Sequence, residues 1–134
     1  LRDGLLSDPA VQRVTNYWEQ VTVACFGIGV LPPAPGQIPY LPLEHLDQSM
    51  SSVAVGDICA IYHFDIQGNL LESELQDKVI GVRLDQLLKA NRRIAVASGI
   101  EKAPAVVGAL RTGLITTLII DLELAREVIL QLKV

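Results

Sequence analysis

Two glycine-bearing segments and two charged residues carry most of the chemistry that this sequence could support. Ser98-Gly99 ends a short apolar run at 94–97, and Glu101 and Lys102 follow just before Ala103-Pro104. A buried strand that gives way to a helix start presents unpaired backbone N–H groups, and an ammonium beside them suits a shared anion. Composition alone reads Lys102 as a surface lysine and Glu101 as a helix-dipole partner. Gly27-Ile28-Gly29 ends another apolar run, 21–28. Glycines there either let a ligand or a second backbone approach closely or simply make a tight turn. Asp57 opens the apolar run 58–64. A carboxylate in that place needs a partner or water, and a turn aspartate bonding the local backbone is one answer.

Other reactive side chains point nowhere in particular. The sequence has no Gly-x-Ser-x-Gly elbow and no Ser-His-Asp order in a plausible context, and its Cys and His residues lack zinc spacing. No acid/base pair of carboxylates is nominated by spacing, so no catalytic residue, metal or cofactor is expected. His45 reads as a solvated surface histidine and His63 as a half-exposed strand histidine. Cys25 and Cys59 sit in apolar runs and read as buried, unbridged thiols. Gly27-Ile28-Gly29 falls short of a dinucleotide fingerprint, because no third glycine opens a helix and Pro32-Pro33 follow at once.

The elements that must position these residues are legible in outline. Residues 94–97 and 114–120 read as buried strands. Between them Ala103, Val106, Val107 and Leu110 recur on one helical stripe, with Pro104 in the first turn and Gly113 past the end. A strand, a crossover helix and a parallel strand form a right-handed unit whose ligands bind beyond the carboxyl ends of the strands. Asp8 caps a first helix that starts at Pro9 and ends near Trp18, which reads as a core anchor. A proline-rich loop over 30–41 precedes a short helix at Leu43, Leu46 and Met50. A hairpin turn is expected at Gln67-Gly68, with 70–75 as the returning strand. Residues 79–82 form another short strand, Leu84, Leu87 and Leu88 a small helix, and Arg92-Arg93 a solvated strand entrance. Asp121 caps a last helix with a stripe at Ala125, Val128, Ile129 and Leu132.

Bulk properties narrow the class. The chain has 134 residues, half of them hydrophobic, which suits one aliphatic-cored domain or part of one. A net charge of -4 with scattered Lys and Arg argues against a nucleic-acid surface, since phosphate binding needs a clustered basic face. Residues 21–43 carry no charge, but five prolines there prevent a membrane-spanning helix, so no membrane partner is expected. The chain starts at Leu1 without an initiator Met, which suggests a fragment or processed product.

Three motifs in order carry a family resemblance. They are Val55-Gly56-Asp57-Ile58-Cys59 with His63-Phe64-Asp65 and Gly68-Asn69; Asp77-Lys78-Val79-Ile80-Gly81-Val82 with Leu84-Asp85-Gln86-Leu87; and residues 98–121, from Ser98-Gly99-Ile100-Glu101-Lys102-Ala103-Pro104 to Thr117-Leu118-Ile119-Ile120-Asp121. Together they resemble the SorC family of bacterial sugar-sensing transcriptional regulators, over nearly the whole chain from about Leu6.

The resemblance implies a three-layer α/β/α fold with a mostly parallel sheet plus a β-hairpin, similar to sugar-phosphate isomerases and deaminases. It implies that residues 1–134 are the second half of an effector-binding domain, with the DNA-binding helix-turn-helix and a phosphate-gripping Gly/Thr-rich loop outside this chain. It assigns Asp57 to effector hydroxyls and Lys102 to a phosphate or sugar, with the turn of Gly27 and Gly29 bordering the cavity; Gly99, after the neighbouring parallel strand, is expected at the same edge. A cytoplasmic, self-associating dimer or tetramer that responds to a sugar or phosphosugar is then expected. An isomerase- or deaminase-like enzyme fragment is the alternative.

Overall fold

The computed structural model describes residues 1–31, 52–73 and 75–133. The expected proline-rich loop, most of whose residues are beyond Leu31, the short helix around Leu46, and His45 lie outside them. Two N-terminal helices, α1 (Arg2–Leu6) and α2 (Pro9–Trp18), lead into strand β1 (Val23–Val30). A hairpin follows, β2 (Ala54–Ile58) and β3 (Tyr62–Asp65), then two short helices, α3 (Leu75–Lys78) and α4 (Leu84–Lys89). The chain ends with β4 (Arg92–Ala97), a 3-10 turn (Ile100–Lys102), α5 (Ala103–Arg111), β5 (Thr117–Ile120) and α6 (Leu122–Leu132).

The five strands form one sheet in the order β3-β2-β1-β4-β5. β1, β4 and β5 are parallel, as the crossover unit requires. The hairpin joins β1 antiparallel, so the sheet, parallel over β1, β4 and β5, is mixed as a whole. The core lies between the sheet and α5. Ile28, Ile58 and Phe64 from adjacent strands meet Ala105, Val106, Val107 and Ala109 of that helix. Small residues bring the helix close. A Cβ on Gly108 would strike the Asp65 carbonyl, Phe64 and Val55, and one on Gly56 would strike Ala105 and the Gly29 carbonyl.

Several local expectations shift. β1 continues through Gly27-Ile28-Gly29 instead of ending there, because Gly29 pairs with Asp57 in the antiparallel ladder. The run 58–64 is not one strand. Cys59 and Ala60, both at positive φ, turn it back on itself, and Asp57 clamps the turn by accepting from the Ala60 N–H at 2.9 Å. The turn at Gln67-Gly68 also forms, clamped by Asp65 and Asn69, but its return is a single bridge, Phe64 to Leu70, with no strand among the described residues of 70–75.

Residues 79–82 do not form a strand either. The Val79 carbonyl accepts from Arg2 Nε and the Val82 carbonyl from the Tyr62 hydroxyl, so side chains take acceptors that a ladder would use. Arg93 is no solvated entrance. Its guanidinium donates to the carbonyls of Leu114 and Ala90, while Arg92 is exposed.

Helix burial differs as well. Asp8 caps α2 as expected, but that helix buries none of its residues and Trp18 is half-buried. In α6 the buried positions are Leu124 and Val128, while Ile129 and Leu132 face solvent. α6 packs beside α5 on one side of the sheet. The other face of the parallel strands presents Val23, Val96 and Ile119 at 52%, 42% and 54% exposure, with Cys25 among them. Among the described residues no second helical layer covers that row. Cys25 is therefore exposed and Cys59 half-buried, not the two buried thiols expected, and neither is in a disulfide.

Candidate functional site

The site is built where β1 ends and the hairpin meets it. Register places Gly29 opposite Asp57, and Asp57 opposite His63. The Asp57 carboxylate leans over Gly29, filling the volume that any side chain there would need. One oxygen, Oδ1, is committed to the Ala60 N–H, which is the turn role that the sequence allowed. Oδ2 lies against Gly29.

Lys102 reaches the same edge from the other side. It closes the 3-10 turn that precedes α5, and its Nζ donates to the Ile28 carbonyl at 3.1 Å, one residue from Gly29. The crossover geometry explains the meeting. β1 and β4 are adjacent and parallel, so the loop after β4 and the end of β1 share one sheet edge.

Electrostatics follow from this burial. Desolvation pushes the Asp57 carboxyl above its ordinary range, against the opposing pull of His63, the Ala60 N–H and Lys102. Desolvation lowers His63, opposed by the Asp57 charge and a hydrogen bond to the Ile61 backbone. Burial and the negative charge of Asp57 raise the Cys59 thiol to about 11, so it is a poor nucleophile. A half-buried acceptor beside an ammonium suits a small ligand with both hydroxyl and anionic groups.

The structure thus brings Gly29, Asp57 and Lys102 together. Gly27 lies two residues upstream on the same face of β1, where a Cβ would meet nothing closer than the Val96 carbonyl at 4.0 Å. Gly99 has φ 103°, and its N–H donates to Asp121 Oδ2 at 2.9 Å. Its amide braces the loop and is not open to a ligand. Asp121, read from sequence as a cap only, therefore holds both α6, through the Leu124 N–H, and the Lys102 loop. His63, expected to be half-exposed, is 2% exposed. No spacing signal could have shown that, because its burial comes from the turn at Cys59-Ala60. Among the described residues no group of three His, Cys, Asp or Glu could hold a metal, and no helix is long and apolar enough to cross a membrane.

Comparison with known proteins bears on this geometry. The sugar-binding domain family matches residues 1–130. The chain belongs to that family. It is 27% identical over 127 residues to the sorbitol operon regulator of Klebsiella pneumoniae, covering 93% of this chain and 40% of that protein. It is 32% identical over 126 residues to the deoxyribonucleoside regulator of Bacillus subtilis, covering 91% and 39%.

Among solved structures, full-length SorC from Klebsiella pneumoniae superposes with a TM-score of 0.80 at 26% identity, over 95% of this chain and 41% of that one. A domain of a sugar-binding transcriptional regulator from Arthrobacter aurescens superposes at 0.76 and 31% identity, over 96% and 49%. The family member therefore spans about two fifths of the curated relatives' length. The α/β fold is that of the SorC sugar-binding domains, and a regulator's sugar-binding domain is supported over the enzyme alternative.

Proposed function

We propose that this sugar-binding domain segment is the second half of an effector-binding domain, sensing a sugar or phosphosugar for a DNA-binding regulator. The juxtaposition that carries the reading is Asp57 lodged on Gly29 with Lys102 bonded to the adjacent Ile28 carbonyl. Asp57 accepts from effector hydroxyls, Lys102 meets an anionic group, and Gly29 makes room, with Gly27 and Gly99 flanking. The rest of the pocket comes from the part of the domain that this chain does not span. DNA is contacted through a separate domain, the protein works in the cytoplasm, and it self-associates as a dimer or tetramer. The exposed apolar row at Val23, Val96 and Ile119 supports further packing, because parallel strands are ordinarily covered on both faces. Effector binding shifts the oligomeric equilibrium and so operator affinity.

The names of the relatives suggest the probes: sorbitol, a deoxyribonucleoside and sugar phosphates, titrated into the full-length regulator. Binding of one of them that is weakened by Asp57→Asn supports the reading, and binding indifferent to it sinks the site. One observation favours the enzyme alternative, a buried histidine beside a carboxylate of raised pKa. Turnover of a phosphosugar lost on Asp57→Asn would establish it; we expect none.

A further inference from the structure

His63 has no role in the site described so far, and its surroundings are unusual. It stands in one cross-strand row with Asp57 and Gly29, so the Cβ bonds of His63 and Asp57 project from the same face of the sheet. The ring is 2% exposed. Its Nδ1 is buried and has no hydrogen-bond partner. Among the described residues it is the single buried side-chain nitrogen or oxygen so placed. The other buried polar side chains, Asp65 and Gln86, are fully engaged with Asn69, Glu19 and the Arg83 N–H. A fold that satisfies those groups and leaves one imidazole nitrogen unpaired, beside a carboxylate with an oxygen over a glycine, keeps a costly orphan.

We propose that His63 is a third recognition group of the Asp57–Lys102 site, its Nδ1 accepting from a hydroxyl of the bound effector. The inference rests on the effector-binding reading above. It also narrows the ligand. A neutral imidazole and a carboxylate side by side are two acceptors on one face, and Lys102 is the cation beyond them. The set matches a polyol or sugar that offers neighbouring hydroxyl donors at one end and a phosphate at the other. Burial keeps the ring neutral, which preserves the lone pair that this role needs.

The test uses His63→Phe, which keeps a ring and removes the nitrogens, and His63→Asn, which restores a polar atom near the place of Nδ1. Each is titrated in the full-length regulator with sorbitol, thymidine, glucose 6-phosphate and inorganic phosphate, and melted without ligand. We expect His63→Phe to melt higher than wild type and to lose about tenfold in affinity for the probe that wild type binds, with His63→Asn recovering most of it. A His63→Phe variant that binds as wild type does, or that melts lower without ligand, overturns the inference, since the nitrogen would then be unused or structurally satisfied. If wild type binds no probe, the effector site itself fails and the role of His63 with it. Wild-type binding with an unaltered variant sinks only the role of His63.

Discussion

The carboxylate of Asp57 occupies the space that a side chain on Gly29 would fill. The glycine is therefore a packing requirement and not a flexible joint, because β1 runs straight through it in extended register with β2. Gly29→Ala must displace the carboxylate, and overpacking of this kind costs about 1–3 kcal/mol. The double variant with Asp57→Ala should recover much of that loss without recovering effector binding. Denaturant unfolding of the four proteins in the cycle measures it; simple additivity would show that the two residues do not share the space.

Asp57 also sets a pH dependence. Its folded pKa is raised above the unfolded value, chiefly by burial. The stability from its protonated form is fully present below the unfolded pKa, about 3.9, and is lost as pH rises through the folded pKa. Asp57→Asn keeps an acceptor for the Ala60 N–H but does not titrate. The melting temperature of the variant should gain on wild type as pH rises from about 4 to 7. A variant that falls behind over that window would mean that the charge is stabilised in place.

Asp121 couples two elements, accepting from Leu124 N with Oδ1 and from Gly99 N with Oδ2, both at 2.9 Å. Asp121→Ala should lower the melting temperature and also weaken effector binding, since it releases the loop that carries Lys102. Asp121→Asn, still a good cap, should lie between. Hydrogen exchange is the direct check. Faster exchange at Leu124 alone, with Gly99 unchanged, would show that the loop does not depend on this brace.

Glu19 links the end of α2 to α4 through Lys89, Gln86 and Arg83, at 2.7, 2.7 and 2.9 Å. These partners, Lys89 first, lower its pKa to about 2. Stability from a depressed carboxylate is present above the unfolded pKa and lost as pH falls through the folded one. The melting advantage of wild type over Glu19→Gln should therefore shrink between about pH 4.5 and 2, and in high salt because the group is exposed. An advantage that persists at pH 2 would assign it to packing.

The parallel unit was legible because the apolar run at 94–97 and the β-branched-rich run at 114–120 are punctuated by Ser98-Gly99, Pro104 and Gly113. β5 starts only at Thr117, and before it the Thr116 hydroxyl accepts from the Arg93 N–H and donates to the Arg93 carbonyl. The β2–β3 turn was not legible, because Cys59 and Ala60 adopt positive φ without the Gly, Asn or Asp that ordinarily signals it. Missing that turn hid the burial of His63 and its alignment with Asp57. The stripe of α6 was misplaced because Leu122, Leu130 and Leu132 surround the helix with apolar residues and blur its periodicity. The meeting of Gly29 and Lys102 followed from strand order, which the crossover rule anticipates and composition does not, while Asp57 joins them through the antiparallel pairing of β2 with β1.

On the reading proposed above, Lys102 holds the anionic end of an effector. Calorimetric titration of glucose 6-phosphate and the other probes into the full-length regulator, wild type and Lys102→Met, with melting curves of both, checks this role. Lys102 is half-buried and spends one hydrogen bond on the Ile28 carbonyl, so its loss should cost little stability. A charge-assisted hydrogen bond contributes about 1.5–3 kcal/mol, so affinity should fall roughly tenfold to a hundredfold with the melting temperature nearly unchanged. Unchanged affinity in Lys102→Met, or a loss that follows unfolding, would show that Lys102 does not bind the effector.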